Sequence, residues 1–135
     1  MRTLLLTTVL FTVACQGAQI EPKAHPSQAV VSANISLKND STGGTALNVN
    51  DDSATMSMRW TGAHPGDLTR LEIYNSKGHL HDQAELAVNA SNETKYKLQI
   101  SGSAISEYNM TGTWKALALR GDGVIVSELS FDVKP

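Results

Sequence analysis

Four side chains in the middle of the chain are of types that bind metal ions: His64, His79, His81 and Asp82. His79 and His81 are two positions apart, so on an extended strand both side chains would lie on the same face. Imidazole binds Zn²⁺ and Cu²⁺, and Asp82 or His64 would complete a site. Two solvent-facing histidines on an edge strand give the same spacing without a metal, so both interpretations stay open.

Met56 and Met58 form a second pair with possible metal chemistry, because thioethers are suitable ligands for Cu(I). Both methionines share the phase of Ala54 and Trp60 in an alternating segment. Methionine also fills gaps in cores that contain few aromatic residues, and this chain has only two Trp, three Tyr and two Phe. We therefore expect both methionines to lie in the core.

The tripeptide Arg120-Gly121-Asp122 matches the sequence that integrins bind, and Gly123 follows it. Recognition by an integrin requires an extended, presented loop. Asp-Gly is also a dipeptide that tight turns favour for backbone reasons alone. The sequence therefore predicts a hairpin turn here rather than an adhesion site.

The sequence contains no recognisable set of catalytic residues. The chain contains no G-x-S-x-G motif, its only cysteine is Cys15, and its acidic residues are scattered among turn segments. No glycine-rich loop precedes a helix, so a phosphate cradle is not expected either. We predict that the protein is not an enzyme and that it carries no cofactor.

The N-terminus has the parts of a secretory signal. Arg2 is followed by an apolar run over residues 4–13 and then by Ala14 and Cys15. The run is shorter than the roughly 20 residues that a transmembrane helix needs. A lone cysteine in an exported protein has no internal disulfide partner, so Cys15 is expected to be modified or reactive.

The motif Thr12-Val13-Ala14-Cys15 resembles the lipobox of bacterial lipoproteins, with Thr12 where leucine is usual. The resemblance implies that the Cys15 thiol is acylated, that the chain is cut before Cys15, and that the new N-terminus receives a further acyl chain such as palmitate. Gln16 after the cysteine implies sorting to the outer membrane. The alternative is an ordinary secretory signal that is cleaved after Ala14 or Ala18.

These features divide the chain into a signal peptide at residues 1–14, a lipidated N-terminus and flexible tether at 15–28, and one domain at 29–135. The tether contains two prolines and spans roughly 20 Å in r.m.s. terms. Removal of the signal leaves ten Lys and Arg against thirteen Asp and Glu, without a basic run. Nucleic acid is therefore not an expected partner.

Polar and apolar residues alternate with period 2 after the tether, most clearly at 31–38, 54–60, 68–74 and 94–100. Residues 113–119 and 124–133 flank a glycine-rich turn and predict a hairpin. Residues 80–88 alternate less well, as expected of an edge strand. The pattern predicts an all-β fold, an antiparallel β-sandwich of seven to eight strands with Trp60 and Trp114 in its core.

Residues 108–114 with the hairpin that follows, and residues 71–78, resemble strands of bacterial immunoglobulin-like and fibronectin type III-like modules. The resemblance implies an immunoglobulin-like sandwich and no particular function.

The leading functional hypothesis is a non-catalytic, membrane-anchored lipoprotein that acts as an accessory or binding module in the bacterial cell envelope. Its expected partners are the membrane, through the N-terminal lipid, and an unidentified envelope protein that adds a strand at residues 80–88. A periplasmic copper- or zinc-binding domain that uses His79 and His81 is the alternative. A carbohydrate-binding module ranks third, with Tyr74, Tyr96 and Tyr108 as its available aromatic residues.

Overall fold

The computed structural model describes residues 31–49, 53–100, 108 and 110–135, and all the regular elements in these residues are β-strands. Cys15, the signal peptide and the tether lie outside the described residues. The eight strands are β1 (Ser32–Asn39), β2 (Leu47–Asn48), β3 (Ala54–Thr61), β4 (Leu68–Tyr74), β5 (Leu80–Ala87), β6 (Glu93–Leu98), β7 (Gly112–Arg120) and β8 (Ile125–Lys134). Within these ranges no helix is long and apolar enough to cross a membrane.

The strands form two packed sheets, which confirms the predicted immunoglobulin-like β-sandwich of seven to eight strands. The small sheet has the order β1-β3-β6, and the large sheet has the order β2-β8-β7-β4-β5. Consecutive strands change sheets repeatedly, so pairing is mostly between strands that are distant in sequence.

One strand pair differs from the expected antiparallel arrangement. β2 runs parallel to β8, with Leu47 opposite Val133 and Asn48 opposite Lys134. β2 and β8 are far apart in the sequence, so no tight hairpin forces them to run antiparallel. All other pairs are antiparallel.

The core lies between the sheets and consists of the alternating inward side chains. Met56 and Met58 are fully buried, as are Leu71, Ile73 and Trp114. The predictions that both methionines and both tryptophans belong to the core are therefore confirmed.

Each buried indole N–H has a hydrogen-bond acceptor, as burial of a polar group requires. Trp60 Nε1 donates to Thr94 Oγ1 at 2.9 Å, and Trp114 Nε1 donates to the Met110 carbonyl oxygen at 2.6 Å. The Trp114 ring also contacts Phe131, with ring centroids 6.2 Å apart. Trp60 thereby links β3 to β6, and Trp114 links β7 to the residues that precede it and to β8.

The two sides of the sandwich are closed differently. On one side the edge strands are β5 and β6, and the Tyr96 hydroxyl of β6 donates a hydrogen bond to the Asp82 carboxylate of β5. On the other side β1 lies beside β8, and the two strands are not paired. Only the two-residue β2 continues the large sheet beyond β8.

The β7–β8 hairpin has the three-residue loop Gly121-Asp122-Gly123. Arg120 N donates to Val124 O, and Gly123 N donates to Arg120 O, both at 2.9 Å. Gly123 adopts a φ of 88°, a conformation that glycine reaches without strain. Gly121 is required for another reason: a Cβ at this position would lie 2.7 Å from the carbonyl oxygen of Leu68.

We predict that Gly121→Ala destabilises the protein by about 1–3 kcal/mol, because the added methyl must displace the β4 backbone. Gly44→Ala is the control, since its Cβ would meet only the Thr42 hydroxyl at 3.4 Å. Urea unfolding followed by tryptophan fluorescence measures both. Equal midpoints for the two variants would contradict the close approach at Gly121.

Candidate functional site

The structure places the predicted metal ligands at different ends of one strand. His64 lies in the loop before β4, and His79 lies in the turn after it. The seven residues of β4 separate them by about 20 Å. At this separation His64 and His79 would not bind the same metal ion.

His81 and Asp82 already have structural contacts. The strand register shifts opposite Ile73 and Tyr74, and His81 is the extra residue on β5 at this irregularity. Its ring packs edge-on against Trp114, with centroids 4.7 Å apart. Asp82 accepts the hydrogen bond from Tyr96. In the described part of the chain, no three His, Cys, Asp or Glu side chains are grouped closely enough to hold a metal ion.

The two charged side chains of the Arg120-Gly121-Asp122 loop bind each other. Arg120 Nε donates to Asp122 Oδ1 at 3.0 Å, and the second guanidinium nitrogen bonds the other carboxylate oxygen. The hydrogen bond from Arg120 lowers the pKa of Asp122, and the same bond raises the pKa of Arg120. Both groups therefore stay ionised and paired in a tight turn, in agreement with the predicted hairpin.

The three tyrosines do not form an aromatic platform. Tyr74 donates its hydroxyl to Glu72 at 2.7 Å, and this bond raises the pKa of Tyr74. Tyr96 is bonded to Asp82 between the sheets. Only Tyr108 among the three has a largely exposed side chain, at 62%. Stacking of a sugar ring would therefore depend on one residue.

One edge of β8 carries backbone N–H and C=O groups that no described strand pairs. Val49 N donates to Lys134 O at 3.0 Å, so the peptide group of Lys134 points away from β7 and towards β2. Peptide groups two residues apart along a strand point to the same side. The N–H and C=O groups of Glu128 and Ser130 therefore point to this edge, and no strand among the described residues pairs with them. The register of Leu47 opposite Val133 places the Asp132 carbonyl against the Leu47 N–H, so β2 uses that acceptor.

A groove of about 360 Å³ runs between β1 and this edge. Its apolar lining comes from Ile35 and Leu37 of β1 and from Leu129 and Phe131 of β8. Thr45 and Ala46, which precede β2, close one end. The groove is thus lined by apolar side chains of two strands and lies beside β8 peptide groups that no described strand pairs.

The sequence predicted an edge strand at 80–88, and β5 is indeed an edge of the large sheet. The open edge of β8 was missed. The sequence held no signal for it, because the open edge follows from the pairing of the two-residue β2 with β8, and local alternation does not determine strand order.

Comparison with known proteins supports the fold of this chain but identifies no family. No protein-family model matches the chain, and no curated protein matches it. Among solved structures, the chain is similar to part of the β-glucuronidase of Bifidobacterium dentium complexed with coumarin-3-O-glucuronide, with a TM-score of 0.50 and 14% identity. The match covers 78% of this chain but only 18% of the glucuronidase, so the activity of that enzyme does not transfer.

Two smaller proteins are similar over most of their own length. The match to the CARDB domain of a Pyrococcus furiosus protein, in complex with di-metal ions, has a TM-score of 0.44 and 11% identity. It covers 79% of this chain and 90% of that one. The match to CopC of Methylosinus trichosporium has a TM-score of 0.40 and 18% identity, and covers 76% and 95%. At these identities the similarity concerns the fold alone.

We predict that His81→Ala destabilises the protein by about 0.5–1.5 kcal/mol, because it removes the contact with Trp114. His79 is exposed in its turn, so His79→Ala should change the free energy of unfolding by less than about 0.5 kcal/mol. Thermal unfolding with and without Zn²⁺ measures both. A Zn²⁺-dependent rise in Tm that both substitutions abolish would instead support the metal site.

Proposed function

We propose that this protein is a non-catalytic lipoprotein of the bacterial cell envelope, anchored to the outer membrane through acylated Cys15, and that its sandwich domain binds another envelope protein. The observation that carries the binding role is the open edge of β8 beside the apolar groove. The lipobox-like motif at 12–15 supports the anchor.

The edge of β8 has the chemistry that strand addition requires. Glu128 and Ser130 each offer one backbone donor and one backbone acceptor, and each hydrogen bond formed contributes about 0.5–1.5 kcal/mol net. An added strand would direct alternate side chains into the groove, where the apolar lining favours aliphatic residues. Its other side chains would lie beside Glu128 and Asp132, whose carboxylates already contact Lys115 Nζ and the Thr113 hydroxyl of β7, each at 3.1 Å.

The edge at β5 is a weaker candidate than the sequence suggested. β5 is joined across the sandwich to β6 by the hydrogen bond between Tyr96 and Asp82. The His81 irregularity also interrupts its regular ladder with β4, and irregular edges discourage pairing. β8 has a similar irregularity, with Val126 as the extra residue, but it lies outside the stretch from Glu128 to Ser130. The copper or zinc hypothesis stays a prediction, and no contact at His79 or His81 favours it over strand addition.

The anchor is tested by the intact mass of protein extracted from membranes, beside a Cys15→Ser variant. We expect a mass that corresponds to residues 15–135 plus acyl chains, and no acylation of the variant. An unmodified chain that begins at Cys15, Gln16 or Gln19 would contradict the anchor.

Strand addition is tested with a photo-crosslinking residue at Thr45, which is exposed and lines the groove. We expect one defined protein adduct in intact cells. Ser130→Pro should abolish the adduct, because proline removes an edge N–H and leaves the ladder with β7 intact. Ser130→Ala should retain it.

The same residue placed at exposed Glu85 of β5 serves as the positional control and should give no adduct that depends on Ser130. An adduct at Thr45 that persists unchanged in Ser130→Pro would contradict binding along β8, whatever the state of Cys15.

A further inference from the structure

The outer face of the small sheet is a flat polar grid, three residues wide and three residues long. The register places these nine side chains in rows across β1, β3 and β6: Asn34, Arg59 and Glu93; Ser36, Ser57 and Lys95; Lys38, Thr55 and Lys97. Directly opposed residues in such rows have Cβ atoms about 5 Å apart. The grid therefore forms one continuous surface.

The charge of this face is opposite in sign to that of the whole chain. The grid carries the cations Lys38, Arg59, Lys95 and Lys97, and its acidic neighbours are Glu93 and Asp40. The chain has a formal net charge of −2. Four cations against two acids leave the face positive.

Both acidic groups at this face are engaged by neighbours. Arg59 Nη2 lies 2.9 Å from Glu93 Oε1, and the Arg59 side chain is still 76% exposed. Asp40 accepts hydrogen bonds from the Ser53 and Thr55 hydroxyls, and these bonds lower its pKa. Lys95 and Lys97 are exposed beside them.

A shallow hollow of about 380 Å³ lies within the grid. Two cations, Arg59 and Lys95, line it together with Asn34, Ser36 and Ser57, and Glu93 forms part of the rim. Guanidinium, ammonium, amide and hydroxyl groups are all donors to phosphate oxygens. Aromatic rings are absent from the nine grid positions, so stacking on sugar rings would not contribute there.

We infer that this face docks on a bilayer surface that contains anionic phospholipid, with phosphate headgroups against the grid. The inference rests on the proposed lipid anchor for its geometry. Only residues 16–31 lie between Cys15 and β1 along the chain, and β1 is itself a strand of the small sheet. The anchor would therefore hold this face at a high local concentration of headgroups.

Docking in this orientation agrees with the proposed role of β8. The large sheet lies on the opposite side of the sandwich, and the groove beside β8 opens along its flank. A partner strand could reach the edge while the grid contacts lipid. Because the contact is electrostatic and exposed, salt should weaken it.

The test uses the mature chain, residues 15–135 with Cys15→Ser, so that neither the signal peptide nor an acyl chain contributes, and measures co-sedimentation with vesicles. Vesicles of phosphatidylcholine with 30% phosphatidylglycerol, roughly the proportion at which anionic lipid attracts basic segments, are compared with phosphatidylcholine alone. We expect binding to the anionic vesicles only, and loss of that binding at about 1 M salt.

Lys95→Gln with Lys97→Gln should reduce binding to the anionic vesicles by about 30-fold, since each cation near such a surface contributes roughly fivefold. Lys77→Gln with Lys134→Gln is the matched control. It makes the same change in net charge at exposed positions outside the small sheet, and should change binding by less than about twofold.

An equal loss in both double variants would overturn the inference, because it would reveal a response to net charge rather than to this face. Binding to a soluble anionic polysaccharide such as alginate, without binding to the anionic vesicles, would also overturn it. Neither result depends on acylation of Cys15, so failure of the anchor is recognised separately by intact mass.

Discussion

Backbone N–H and C=O groups that are removed from water must be hydrogen-bonded, and this requirement determines which sides of the sandwich are closed. The interior peptide groups of the large sheet are bonded by neighbouring strands. At β8 the ladder stops after Val133 and Lys134, because β2 is only two residues long. Within the residues that the structure describes, no strand pairs with the rest of this edge, and the binding role that we propose depends on it.

The core leaves both outer faces free to carry function. Met56, Met58 and the two tryptophans fill the space between the sheets, and the alternation along β3 places a polar residue outside for every apolar residue inside. The small sheet thereby gains a grid of cationic and hydroxyl side chains without loss of packing. β1 takes part in both proposed contacts, with its outward side chains in the grid and its inward Ile35 and Leu37 in the groove.

Strand positions were predictable from the sequence because they depend on local alternation. Residues 54–60 and 94–100 alternate clearly, and the glycine-rich turn before Val124 indicates the β7–β8 hairpin. Strand order was not predictable, since pairs such as β1 with β3 and β4 with β7 join segments that are distant along the chain. The parallel β2–β8 pair and the open edge follow from that order.

The metal hypothesis shows that side-chain positions were also hard to predict from local patterns. The spacing of His79 and His81 gives a shared face only on a regular strand, whereas β5 has an irregularity at His81 and begins after His79. Side-chain contacts such as His81 with Trp114 arise from the register between strands, which local patterns do not determine.

The most direct test of the central claim is amide hydrogen exchange of β8 in the acylated protein, first purified and then within isolated outer membranes. In the purified protein the amides of Glu128, Ser130 and Asp132 should exchange rapidly, while those of Leu129 and Phe131 are protected by β7. In the membranes all five should be protected if a partner strand is bound. Equal protection of the five amides in the purified protein, or no change in the membranes, would contradict the account.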